Sequence, residues 1–204
     1  MEVYGAIGRV NLRHNLGIHV LIAVGLLAVS PLFMGIANLD TAQSAQVLEM
    51  YVALIGIILL VPLFWPDQDS NIRDLIYSKA VPAAAHQLVR LLEAFAILAA
   101  LTGIFVLVMI KGGCSFPAGE YYLGTLAEAV FLGGLGVLAY GFTDVLAIGY
   151  MVPMVYYMAN FAGNRYLGKF YLFSMMQGSM EEKIYLGAAG GLCIAAACMW
   201  RQRK

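Results

Sequence analysis

Three acidic residues stand where acids are costly. Glu49, Glu93 and Glu128 each fall within or just inside a long apolar stretch. A carboxylate near the middle of a membrane-spanning helix costs roughly 2.5–3.5 kcal/mol on insertion scales, so such a group is turned inward, paired or protonated. Glu49 and Glu93 are expected near opposite membrane faces, about one turn into their stretches, which suits an interfacial or packing-paired role better than a catalytic dyad. Glu128 is deeper and precedes Gly133, Gly134 and Gly136. It reads either as a subunit contact or point on a substrate path, or as a protonated acid bonded to a neighbouring helix. Tyr156, Tyr157 and Asn160 share a later stretch and could line a translocation path, although an aromatic stripe in a membrane helix is more often plain packing.

Other chemistry-bearing residues do not gather into motifs. His14, His19 and His86 are scattered, and there is no His-x-x-x-His, paired Asp motif or Gly-x-Ser-x-Gly. Cys114, Cys193 and Cys198 form no Cys-x-x-Cys and no metal spacing; the last two sit in an apolar run as small packing residues. No bound metal is expected. The phosphate loop Gly-x-x-x-x-Gly-Lys-Ser/Thr is absent, so the chain is not expected to hydrolyse ATP by that route.

The elements that would position these residues are membrane helices. The chain is 62% hydrophobic and 12% charged, against roughly 45–50% and about 25% in soluble domains. Its net charge is zero, which gives no electrostatic footprint for nucleic acid. Six apolar stretches, 16–37, 46–65, 88–110, 122–142, 144–163 and 184–200, approach the ~20 residues that a helix needs to cross a bilayer. In lipid the backbone must satisfy its own hydrogen bonds, so these are expected to be helices in a single all-α membrane domain. The first stretch is too long for a cleaved signal sequence and is expected to be retained. Cationic side chains favour cytoplasmic ends: Arg9, Arg13, Arg73, Lys79, Arg90, Arg201, Arg203 and Lys204 on one side, against Lys111, Arg165, Lys169 and Lys183 on the other. Residues 164–183 are too broken to span and too aromatic for a solvated loop, so they are expected to lie in, or dip into, the outer leaflet.

The connection after the second stretch is the most patterned. Pro66 stops the span, and Asp67, Asp69 and Ser70 suit a helix N-terminus. Ile72, Leu75, Ile76 and Lys79 then follow the i, i+3, i+4, i+7 spacing of an amphipathic helix, which Pro82 ends. It reads either as a helix resting on the headgroups or as a docking helix for a soluble partner.

The run Glu49–Pro62, followed by Pro66-Asp67-Gln68-Asp69 and Ile72-Arg73-Asp74-Leu75-Ile76-Tyr77-Ser78-Lys79, resembles bacterial permease subunits of the ABC-2 type over nearly the whole chain. That resemblance implies six spans with cytoplasmic ends, a coupling helix between spans two and three, and a partly re-entrant outer segment between spans five and six. It also implies a multi-pass protein of the bacterial cytoplasmic membrane, paired with a second permease copy. A separate ABC ATPase subunit would bind ATP and Mg and would dock on Asp69, Asn71, Ile72, Arg73, Leu75, Ile76 and Lys79. The cargo would be a small hydrophobic or amphipathic compound or peptide. The alternatives are a non-transporting membrane subunit (sensor, immunity or assembly partner) and, less favoured, a membrane enzyme acting on lipid.

Overall fold

The computed structural model describes residues 2–68, 83–163 and 167–203, and among these it is all-helical. A helix α1 (Glu2–Asn11) continues through a π turn, Leu12–Leu16, into α2 (Gly17–Met34). Next comes a run made of α3 (Thr41–Met50), a 3-10 turn Val52–Leu54, α4 (Ile55–Leu60) and a 3-10 stretch Val61–Gln68. The long helices α5 (Ala83–Lys111) and α6 (Ala118–Thr143) follow, then the shorter α7 (Leu146–Asn160) and the final α8 (Glu181–Arg203).

Local chemistry sets the boundaries. Asp40 accepts from the backbone N–H of Gln43, whose side chain accepts in return from the Asp40 N–H, closing a capping box at the start of α3. Pro62 and Pro66 lack amide donors, and the helix there tightens to 3-10 geometry. Asp144 takes a left-handed conformation (φ 57°) and ends α6.

Among the described residues, five helical stretches are long and apolar enough to cross a membrane: Gly8–Met34, Thr41–Pro66, Ala84–Lys111, Ala118–Thr143 and Glu181–Arg203. The expected fifth stretch, 144–163, forms α7 instead, 15 residues long and so only about 22 Å at ~1.5 Å per residue. Asp144 and Val145 delay its start, and the chain turns away after Asn160.

The second stretch and α6 form the centre. In their most apolar windows 78% and 61% of residues are buried, against 28% in each of the other three. They run parallel, Gly56 facing Ala129 and Phe64 facing Gly141. The α8 helix also runs parallel to α6: Gly187 meets Ala127, Gly190 meets Phe131 and Gly134, and Arg201 pairs with Asp144. A Cβ on Gly190 would stand 2.6 Å from the Phe131 Cα, a distance only glycine tolerates. Since α6 and α8 point the same way, α7 carries the chain back between them, antiparallel to α6, with Gly149 against Gly136 and Tyr140.

Gln68 donates to the Asp144 carbonyl (2.9 Å), so the second stretch ends beside the α6–α7 turn and the end of α8. At the opposite end the connections after α2 and α5 are tied together by Asn38 N to Gly112 O (2.9 Å) and Ser115 N to Leu39 O (3.1 Å).

Candidate functional site: a buried glutamate–lysine–glutamate cluster

Residues 168–180 contain two short 3-10 turns, Gly168–Phe170 and Met175–Gln177, and Tyr171, Leu172, Phe173, Ser174 and Met175 are buried. The segment folds into the bundle rather than capping it. At ~1.5 Å per residue, Glu49 lies about 12 Å beyond the start of α3 at Thr41, and Glu128 about 15 Å beyond the start of α6 at Ala118. Both touch the segment or the lysine that follows it.

Lys183, in the first turn of α8, is the hub. Its ammonium stands 2.7 Å from Glu49 Oε1 and 2.6 Å from Glu128 Oε2, and also donates to the Leu172 carbonyl. Exposure is 3% for Lys183 and 0% for each glutamate. The lysine stem passes Gly124, where a Cβ would already meet its Cγ at 3.4 Å, and so reaches Glu128 one turn further along α6.

Glu49 does more than pair with the lysine. Its carboxylate accepts from the backbone N–H groups of Met175 (2.8 Å) and Met176 (3.1 Å). These open the second 3-10 turn, where amides have no partner within the turn, so Glu49 caps it from another helix. Charge-assisted bonds of this kind are about twice as strong as neutral ones.

The other wall is α7. Asn160 Oδ1 accepts from the Leu172 N–H (2.8 Å), while its amide donates to the Tyr156 carbonyl (2.8 Å). The Tyr156 hydroxyl donates to Phe170 O (2.6 Å), and the Tyr157 hydroxyl donates to Met50 O (2.9 Å), next to Glu49. Phe173 fills the space between Tyr157 (5.6 Å, edge-on) and Phe161 (5.1 Å).

Of the residues singled out in the sequence, Glu49, Glu128, Tyr156, Tyr157 and Asn160 thus gather around one buried segment. Glu93 does not join them: it accepts from the Asn11 side chain (2.9 Å) where α1 crosses α5, with Gly8 against its carboxylate. Lys183, counted by position among the outer-loop cations, is buried here. The signal that could have found it is the pair of buried acids, each of which requires a cation or proton. Asp69, Asn71, Ile72, Arg73, Leu75, Ile76 and Lys79 lie outside the described residues. Among the described residues, no group of three His, Cys, Asp or Glu side chains could hold a metal ion.

Neither a family model nor a curated protein nor a solved structure matches this chain.

Proposed function

We propose that this chain is the membrane-spanning permease subunit of an ATP-driven exporter of the ABC-2 type, working as a pair of copies with a separate ATPase on its cytoplasmic face. The observation that carries the reading is mechanical. The Thr41–Gln68 run is the most buried of the bundle. It bears Glu49 near one end, and at the other it leads into the amphipathic 69–79 sequence, anchored just before it by the Gln68–Asp144 bond. A partner that moves residues 69–79 therefore pulls on the helix whose far end seats the 167–180 segment. Placing Lys183 inside the protein also leaves Lys111, Arg165 and Lys169 as the cations of the far side, which sharpens the bias toward a cytoplasmic Arg201–Lys204 end. On this reading α7 and the inward-folded segment together supply the sixth passage, and both chain ends are cytoplasmic. The passage between copies takes a small hydrophobic or amphipathic molecule.

The test is co-expression with a candidate spanless ABC ATPase, scored by co-purification and stimulated ATP hydrolysis. Ile72→Asp with Ile76→Asp places two charges on the apolar face and is expected to lower ATPase recovery about tenfold or more, as loss of a hot-spot pair does. Unchanged recovery and unchanged hydrolysis would overturn the docking assignment and favour a non-transporting membrane subunit.

A further inference from the structure

The buried cluster has two carboxylates and one ammonium, one negative charge in excess. The surrounding ionisable groups do not correct this. Facing the two acids are Tyr121 from α6, Tyr156 and Tyr157 from α7, Tyr171 from the inward segment and Lys183 from α8. The phenols add no second cation.

The bonding distinguishes the two acids. Glu49 uses both oxygens, taking Lys183 and the Met175 N–H on one and the Met176 N–H on the other. Glu128 uses only Oε2; its Oε1 is buried without a hydrogen-bond partner. The ammonium has three protons, directed to Glu49, Glu128 Oε2 and the Leu172 carbonyl, and none remains for Oε1. The Ser174 hydroxyl is likewise buried and unpartnered, on the turn between the two backbone positions that bond Lys183 and Glu49.

We infer that this cluster is a proton-binding site: Glu128 carries one proton on Oε1 while Glu49 and Lys183 form the ionised pair. The ligand is a proton taken from water, and it forms an O–H bond at Oε1. Oε2 becomes the carbonyl oxygen and still accepts from Lys183. Net charge in the cluster falls to zero, and the unpartnered atom becomes a neutral hydroxyl instead of half of an anion, whose burial costs far more. The 167–180 segment closes over the cluster, with Leu172 O on Lys183 and the Met175 and Met176 amides on Glu49, and on this inference it is what keeps water from Glu128. Seating the segment therefore takes up one proton, and lifting it returns the proton to solvent. The positive-φ Gly168 (51°) and Gly178 (78°), both with open space around them, bracket the part that would move.

The inference is independent of ATPase docking and is tested on the full chain in lipid nanodiscs at neutral pH. Infrared difference spectroscopy should show the carbonyl stretch of a buried carboxylic acid in the wild type. E128Q should remove it, and E93Q should leave it. With Cys114, Cys193 and Cys198 replaced, Ser174→Cys reports seating through its reaction with a water-soluble maleimide. Glutamine matches the neutral acid in shape and charge, so E128Q should keep that cysteine protected. E49Q, which removes the anion capping the turn, should speed labelling about tenfold, the effect of one strong bond. A wild type without the band, a band that survives E128Q, or E128Q labelling as fast as E49Q would each overturn the assignment.

Discussion

Lys183 is the residue on which the interior charges depend. Replacing it by methionine leaves the Glu49 carboxylate fully buried with backbone amides but no cation. Removing one partner of a buried pair costs about 3–5 kcal/mol, whereas replacing the whole set by neutral groups is often close to neutral. Lys183→Met is therefore expected to lower the thermal midpoint of the detergent-solubilised protein by on the order of 10 °C. The triple variant Glu49→Gln, Glu128→Gln, Lys183→Met should recover most of that loss, as read by scanning fluorimetry. A single variant as stable as the wild type would mean that the lysine holds nothing. At this scale the two acids were legible, because an acid inside an apolar stretch demands an explanation. Their partner was not. Counting cations by loop assigned Lys183 to the outside, since it precedes the apolar run by only a few residues, and nothing in linear sequence shows that the segment before it turns inward.

Among the elements, the 167–180 segment was readable as an oddity, too aromatic to be solvated and too broken to span. Its depth was not readable, because it is set by side chains far away in sequence: Glu49 on α3 and Asn160 on α7. The α8 helix shows the same limit more sharply. Its Gly187 and Gly191 form a Gly-x-x-x-Gly spacing that suggests close helix approach. Gly187 does meet Ala127, but Gly191 faces open space, and the tightest contact belongs to Gly190 against Phe131 and Gly134. Adjacent glycines in a helix that is small and apolar all round carry no facial signal, so spacing alone cannot choose between them. Substitution can. Gly190→Val must displace the α6 backbone and should cost about 1–3 kcal/mol, typical of overpacking, while Gly191→Val should fall well below that. Thermal midpoints of the two variants decide it, and equal losses would argue against this helix register.

At the scale of the whole molecule, direction follows from connectivity. The α6 helix ends at Thr143 and α8 ends at Arg203, and Asp144 and Arg201 bind each other, so both helices finish at one end of the bundle. The Thr41–Gln68 run finishes there too. The first helix meets α5 through Asn11 and Glu93, and His19 stacks edge-on with Trp65 at 5.8 Å, which brings the chain's beginning to that same end. The paired connections around Asn38 and Ser115 mark the opposite end. Five stretches of spanning length among the described residues would by number alone place the chain ends on opposite sides of a membrane, whereas the proposed six-passage reading, in which α7 and the buried segment carry the chain back between the parallel α6 and α8, places them on the same side. Single cysteines separate these outcomes, introduced after the three native ones are replaced. With a membrane-impermeant thiol reagent on intact cells, Ser115→Cys should label directly. Gln202→Cys and a cysteine inserted ahead of Glu2 should label only after permeabilisation. If Ser115→Cys and Gln202→Cys both label from outside, α7 does not complete a crossing. The buried lysine would then belong to a five-span protein whose basic C-terminal end faces away from the cytoplasm, against the bias that cationic residues impose.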